Sequence, residues 1–401
     1  MIKTVFSKGK LAAKTGNEVM AEAMRQIEPD VVAAYPITPA TEIVQIFSQF
    51  VADGVVKSEY VAVESEHSAM SATIAASAAG ARAMTGTSSQ GLCLMWEMLY
   101  IASGLRLPIV MAEVNRAISA PINIQGDHSD TMGARDSGWI QIYSENSQEA
   151  YDNMIQATKI AEKAKLPVLV TTDGFIISHC MEVVELYPDS DVKAFVGEYK
   201  PERYLLDTKK PYTLGSIDLQ DYYFEHRYQL AQAVRDSKCV ILDVARDFEK
   251  TFGRKYEMYE KFMLDDAEVA IVVIGSTAGT VKVVVKELRQ KGIKAGLLKI
   301  RVFRPFPAEQ IAKDLSNVKA LAVLDRADSC SGAFAPLYCD VVSSLYAAGV
   351  TCPKVVNYVY GLGGREINTA HITSIYDTLS KIASGDEKPS GCVEYINVRK
   401  K

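Results

Sequence analysis

Short, unbroken apolar runs alternate with longer stretches of helical period along most of the chain. In the first half the runs fall at residues 31–35, 60–63, 83–87, 107–114, 139–143 and 167–172. Runs this brief, bounded by turn residues, read as buried strands of a parallel sheet. Between them lie an amphipathic helix over Gly16–Ile27, a helix starting near Thr38 or Ala40 and reaching about Val51, and another over 148–165. Residues 69–83 are a run of small side chains in which only Arg82 is charged. Such a run predicts a helix packed tightly on a sheet, with Ser65 placed to cap it. A further apolar helix opens at Leu92. Strands alternating with helices predict a mostly parallel, doubly wound sheet.

The pattern lapses over residues 185–262, which are rich in Tyr, Asp, Glu, Lys and Arg. These read as an extended connection plus a helix pair. Strands resume at Val269–Ile274, Ala295–Ile300, 320–324 and 354–358, with a helix running from the turn Gly275 to Thr280 as far as about Lys291. At 401 residues the chain has room for two domains of ordinary size. The expected fold class is therefore α/β: two doubly wound, mostly parallel α/β domains, residues 1–262 and 263–401.

Composition narrows the setting. Apolar residues at 48 % and charged residues at 23 % are the balance of a soluble globular protein. A net charge of −5 gives no basic footprint, which argues against nucleic acid or a membrane surface as partner. No apolar run approaches the length of a bilayer span, and the basic leader MIKTVFSKGK lacks a signal-peptide core, so the expected compartment is the cytoplasm. The seven cysteines form no CxxC pair, so no zinc or iron–sulfur ligand set is read and no metal site is assigned to this chain. Any electron carrier must lie elsewhere.

Ligands of parallel α/β sheets bind at the carboxyl ends of strands. Four strand ends here carry candidate chemistry. After 31–35 comes YPITPATE, where Pro36 and Pro39 stiffen a turn around Ile37 and Thr38. Alone, Thr38 reads as a helix N-cap. After 60–63 comes Glu64-Ser65-Glu66, and after 83–87 the hydroxyl-amide-glycine cluster Ser88-Ser89-Gln90-Gly91. The run 107–114 ends at Asn115-Arg116, followed by the long loop APINIQGDHSDTMGARDSGW. A loop of that length in a compact domain is more often functional than idle. The Arg116 guanidinium suits a planar carboxylate, or equally an ion pair with Asp127 or Asp130 that holds the loop. His128 reads as a loop-ordering residue rather than a base. The Gly275–Gly279 turn looks like a phosphate cradle but lacks the P-loop lysine, so a tight strand–helix turn is the better reading. The glycine turn Gly361 to Glu366 (GLGGRE) is left without a role.

Taken together, YPITPATE, VESEHSAMSA, TSSQGL, the Asn115-Arg116 strand end and GDHSD resemble the α subunit of pyruvate:ferredoxin oxidoreductase, within the thiamine-dependent 2-oxoacid:ferredoxin oxidoreductases. RVFRPFP, VLDRADS and GLGGRE resemble that subunit's second domain. The likeness covers nearly the whole chain in order. It implies a pyrimidine-binding thiamine diphosphate domain with a helical connection over 1–262, and a transketolase C-terminal-like domain over 263–401.

The resemblance further implies that a glutamate opening the helix after the second strand bonds the pyrimidine N1′ of thiamine diphosphate. Glu66 is the matching position and Glu64 the rival; alone, either would read as complementing the helix dipole. Arg116 matches the arginine that takes the substrate carboxylate, and Thr38 the hydroxyl that orients pyruvate. Pro36, Ile37, Ser89 and Gln90 would line the cofactor. The implied reaction is coenzyme A-dependent oxidative decarboxylation of pyruvate with electrons passed to ferredoxin. The chain lacks cluster-binding cysteines and a segment for Mg²⁺ and the diphosphate. Both would come from β, γ and δ-type partner subunits, leaving half an active site here. Alternatives are another 2-oxoacid (2-oxoglutarate, a branched-chain or aryl 2-oxoacid, oxalate), or a non-catalytic scaffold subunit.

Overall fold

The computed structural model describes residues 8–399, so the first seven residues of the basic leader lie outside it. At the end of the leader comes β1 (Lys10–Thr15), followed by α1 (Gly16–Ile27) with Thr15 and Glu18 in a reciprocal capping box. Then come β2 (Val31–Ala34), α2 (Thr41–Ala52), β3 (Glu59–Ala62), α3 (Glu66–Ala79), β4 (Ala83–Thr87), α4 (Ser89–Leu94), α5 (Trp96–Gly104) and β5 (Val110–Asn115). A short α6 (Ser129–Gly133) leads to β6 (Ile140–Tyr143), α7 (Ser147–Ala164) and β7 (Val168–Asp173).

Helix α2 starts at Thr41, beside the expected Ala40, and its cap residue Ala40 offers no side-chain bond. The readings of Thr38 and of residues 60–63 change. Thr38 precedes Pro39, whose ring disfavours helical backbone in its predecessor, so Thr38 stays in the turn and caps nothing. The run 60–63 is not a buried strand. It is β3, with Glu59, Val61 and Ala62 exposed, because it ends up at the rim of the sheet. Likewise, Pro108 delays β5 to Val110.

Residues 181–262 hold β8 (Met181–Leu186), which overlaps the start of the region 185–262, then α8 (Asp189–Val196), the thirty-residue α9 (Tyr223–Phe252) and β9 (Tyr259–Phe262). The expected helix pair is present; the two strands were not anticipated. β8 pairs antiparallel with β1. The remaining elements are β10 (Val269–Ile274), α10 (Thr277–Gln290), β11 (Ala295–Ile300), β12 (Val302–Arg304), α11 (Ala308–Leu315), β13 (Ala320–Asp325), α12 (Pro336–Ala347), β14 (Lys354–Val359), α13 (Thr369–Ser384) and β15 (Glu394–Tyr395).

Two large sheets result, in the orders β12-β6-β7-β5-β4-β2-β3 and β15-β14-β13-β10-β11-β9. Only the edge strands β12 and β9 run antiparallel to their neighbours. The period of two divides each strand between two helical layers. Val110, Ala112 and Val114 join the core under α1, α2 and α7, whereas Met111 joins Met70, Leu92 and Leu99 on the opposite face. In the second sheet Val269, Ile271 and Val273 pack with α10 and α13, and Ala270, Val272 and Ile274 with α11 and α12. Both sheets are therefore doubly wound, as expected.

Buried polar contacts join the two units. β12 adds to β6 of the first sheet, and Lys299 on β11 reaches Glu145 at 2.7 Å and Glu149 at 2.6 Å beside α7. Glu145, Glu149 and Glu260 converge closely enough to hold a cation, but Lys299 and Lys282 already supply that charge. Among the described residues, no helix is long and apolar enough to cross a membrane.

Candidate active site at the strand ends of the first sheet

Strand β2 leads outward to β3, while its neighbour β4 leads the other way to β5. The order thus reverses between β2 and β4, the position at which open parallel α/β sheets take ligands. The Thr38 turn follows β2 and the Ser88-Ser89 turn follows β4.

Glu66 enters this region from α3. The Ser65 hydroxyl caps the helix by accepting from the Ser68 N–H at 3.2 Å, which fixes Glu66 as the first helical residue. Glu66 is only 7 % exposed, yet its carboxylate makes no hydrogen bond or ion pair among the described residues. Its rival Glu64 is exposed and accepts from the Ser68 hydroxyl at 2.5 Å, which holds it below its usual pKa. Across from Glu66 stands Gly91. A Cβ there would lie 2.8 Å from Glu66 Cγ and Oε1 and 2.3 Å from Thr87 Oγ1. Thr87 Oγ1 is itself buried without a hydrogen-bond partner. The missing side chain of Gly91 therefore lets α4 pack directly against an unpaired carboxylate and an unpaired hydroxyl.

Asp130 ties the next two turns together. Its Oδ2 accepts from the backbone N–H of Ser89 at 3.1 Å and of Arg116 at 2.8 Å, while Oδ1 accepts from Asn115 Nδ2 at 2.8 Å. The Ser89 hydroxyl points inward, within reach of the Ala117 carbonyl at 2.7 Å and Gln90 Oε1 at 2.8 Å, its one proton donated to either. Behind them Glu113 is wholly buried and neither of its oxygens has a partner. Burial, and then the neighbouring Asp130 charge, push its pKa well above the carboxylate range. A proton on Glu113 would give Asp130 one more donor.

Arg116 is 7 % exposed, and its guanidinium pairs with neither Asp127 nor Asp130. Nε donates to the Asn123 carbonyl at 3.0 Å and Nη1 to the Thr38 carbonyl at 3.0 Å. The positive charge is thus oriented by two neutral acceptors and left without a carboxylate. A buried cation in that condition is suited to an anionic ligand. Thr38 contributes its carbonyl to this bond while its side chain lies at the exposed turn with Pro36, and Ile37 is half-buried between them. Thr87, Glu113, Asp130 and Asn123 were not singled out from sequence as site residues. For Asp130 the GDHSD motif carried a signal; for Asn123 none existed.

The second unit closes one side of the region. Asp173, at the end of β7, bonds His128 Nε2 at 2.6 Å, Arg326 Nη1 at 2.9 Å and the Ser276 N–H at 2.9 Å. Burial alone would raise this carboxyl, but His128, Arg326 and Ser276 hold it well below the usual range. His128 thus orders the loop, and the Gly275 turn receives a protein carboxylate. The GLGGRE turn docks on the 117–128 loop, Gly363 N–H donating to Asp127 at 2.9 Å and Gly364 N–H to the Gly126 carbonyl at 3.1 Å.

Comparison with known proteins identifies the family and agrees with the fold. Residues 22–246 match the family model described as pyruvate flavodoxin/ferredoxin oxidoreductase, thiamine diP-binding, and residues 267–372 match pyruvate:ferredoxin oxidoreductase core domain II. The chain is 57 % identical over 367 residues to pyruvate synthase subunit PorA of Thermotoga maritima, covering 91 % of this chain and 93 % of the relative. It is 44 % identical to ketoisovalerate oxidoreductase subunit VorA of Pyrococcus abyssi, over 92 % of this chain and 93 % of that one. Among solved structures, 2-oxoglutarate:ferredoxin oxidoreductase from Magnetococcus marinus shares the fold with a TM-score of 0.73 at 20 % identity. That match covers 94 % of this chain and 66 % of the other. A split-gene transketolase shares it more distantly, with a TM-score of 0.52 at 11 % identity over 92 % of this chain and 96 % of that one. The chain belongs to the pyruvate flavodoxin/ferredoxin oxidoreductase family.

Proposed function

We propose that this chain is the α subunit of a pyruvate:ferredoxin oxidoreductase, which converts pyruvate and coenzyme A to acetyl-CoA and CO₂ and passes electrons to ferredoxin. Residues 1–262 would form the pyrimidine-binding unit and 263–401 the transketolase C-terminal-like unit. The observation that carries the reading is Glu66, a buried carboxylate left unpaired where α3 packs against Gly91 of α4.

The orphaned Thr87 hydroxyl and the unpaired Glu66 carboxylate, side by side at Gly91, fit the polar edge of the aminopyrimidine ring of thiamine diphosphate. When bound, that cofactor supplies a nucleophilic thiazolium carbon and an electron sink for loss of CO₂. Glu66 would accept a hydrogen bond from the ring nitrogen, a bond made strong by exclusion of water. Pro36, Ile37 and Gln90 would line the ring, with Ser89 holding the turn behind it. Arg116 would take the carboxylate of the 2-oxoacid in its unfilled charge, and Thr38 would orient the same group.

Mg²⁺, the diphosphate and the iron–sulfur clusters would be held by β, γ and δ-type partners. An apolar surface beside the site supports such assembly. Leu94, Trp96 and Ile101 are exposed on α4 and α5, next to the His67–Glu97 bridge that adjoins Glu66. A branched-chain 2-oxoacid is the second reading, favoured by the identity with a ketoisovalerate oxidoreductase subunit.

In the assembled complex, Glu66→Gln should lower exchange of labelled CO₂ into pyruvate by about 10²-fold or more, as for loss of an acid–base group. Glu64→Gln should leave it within about two-fold, since its lost bond is an exposed one. Full exchange by Glu66→Gln would overturn the assignment. Rates with pyruvate, 2-oxoisovalerate and 2-oxoglutarate, read with a viologen dye, decide the substrate.

A further inference from the structure

Arg116 does not reach its position through its own strand alone. Its Nε is held by the Asn123 carbonyl, on the far side of the loop that leaves β5. Asn123 is in turn held from the second unit, its Nδ2 donating to the Gly363 carbonyl at 3.1 Å. Its Oδ1 accepts from the Gln125 N–H at 2.7 Å, which sets the local turn. The two units approach so closely here that a Cβ at Gly363 would lie 2.4 Å from Asn123 Nδ2, and one at Gly364 2.5 Å from Gln125 Cβ. Both glycines also have positive φ, +58° and +77°, which favours glycine on a second count. The loop is pinned on either side, by Ala117 N–H to the Gln125 carbonyl at 3.0 Å and by His128 N–H to the Arg326 carbonyl at 2.8 Å.

We infer that Asn123 is a positioning residue for Arg116: it clamps the guanidinium between the Thr38 turn and the Gly361–Gly364 turn, so that the second α/β unit sets how the 2-oxoacid carboxylate is received. The inference rests on the reading of Arg116 as the carboxylate-binding residue. It gives the GLGGRE turn a role in substrate affinity that does not require contact with substrate.

The test uses the purified complex, with pyruvate-dependent reduction of a viologen dye as readout. Asn123→Asp keeps the size of the side chain and its bond to Gln125 but removes the donor to Gly363; Asn123→Ala removes both. Each should raise the KM for pyruvate by about three- to ten-fold, the worth of one hydrogen bond, with kcat and the thiamine diphosphate requirement within about two-fold. Arg116→Ala should raise the same KM further, and adding Asn123→Asp to it should change nothing more. A rise with Arg116→Ala but none with Asn123→Asp or Asn123→Ala overturns the relay and leaves the arginine reading standing. Additive effects in the double variant also overturn the relay. An unchanged KM in Arg116→Ala removes the arginine reading and the relay with it.

Discussion

Glu66 and Gly91 face each other so closely that a single methyl group at Gly91 would stand 2.8 Å from the Glu66 carboxylate oxygen. The two residues come from different helices, α3 and α4, each opening at the end of its own strand. Absence of a side chain at one position makes the other usable: Glu66 stays buried but is not forced into a bond with its own chain. A carboxylate hydrogen-bonded within the chain would be less available to an added ring nitrogen.

Gly91→Ala should therefore act on cofactor affinity before it acts on stability. The new Cβ must displace Thr87 Oγ1 or Glu66, since it would lie 2.3 Å from the first. Overpacking of this kind costs about 1–3 kcal/mol, and here the yielding groups are those proposed to face the ring. The thiamine diphosphate concentration for half-maximal activation should rise about ten-fold or more, the rate equivalent of that cost. Titration of the cofactor-stripped complex measures it. Unchanged activation would mean that the ring does not sit against Glu66 and Thr87.

Much of this arrangement could be read from the residues, and the misses share a cause. The buried strands β4, β10 and β11 were delimited correctly because unbroken apolar runs and their turns are local signals. Strand β3 looked the same locally, yet its burial depended on sheet order, which is set by distant partners. β8 carries two glutamates and pairs with β1 from the start of the chain, so neither strand stood out. Glu66 and Arg116 stood out as charged residues at the ends of apolar strands, but the roles proposed for them came from the resemblance and not from that placement. Their surroundings were less legible: Asn123 and Gly363 lie 240 residues apart in sequence, and only folding brings them together.

The clamp at Asp173 predicts how the two units depend on each other. Asp173→Asn would leave Arg326 and His128 buried with no anionic partner. Breaking a buried pair in this way costs about 3–5 kcal/mol, far more than an exposed one. Denaturant unfolding should register that loss at neutral pH. The contribution is present above the ordinary carboxylate pKa and is lost as pH falls toward the depressed folded value, since the unfolded chain then takes up the proton first. The gap between wild type and Asp173→Asn should accordingly narrow in acid. A constant gap from neutral pH down into the acid range would show that the charge of Asp173 is not what matters.

Glu113 predicts the opposite pH dependence. Both its oxygens lack partners in a fully buried setting, and burial with the Asp130 charge raises its pKa well above 4.5. Above the ordinary value the unfolded chain has released this proton while the folded chain retains it. Folding then takes up a proton, so stability falls as pH rises from about 4.5 toward the raised value. Glu113→Gln keeps the shape and a donor toward Asp130, but has no proton to lose. Its unfolding midpoint should match wild type near pH 4 and exceed it increasingly as pH rises, by up to about 1.4 kcal/mol for each pH unit before Glu113 ionises. Because Asp130 holds the backbone of both Ser89 and Arg116, Glu113→Gln should also remove the rise in the KM for pyruvate that follows once Glu113 ionises and a second charge next to Asp130 disturbs that hold. Thermal melts and KM values at a series of pH values test both. A variant less stable than wild type across the whole range would mean that Glu113 is ionised in the folded chain.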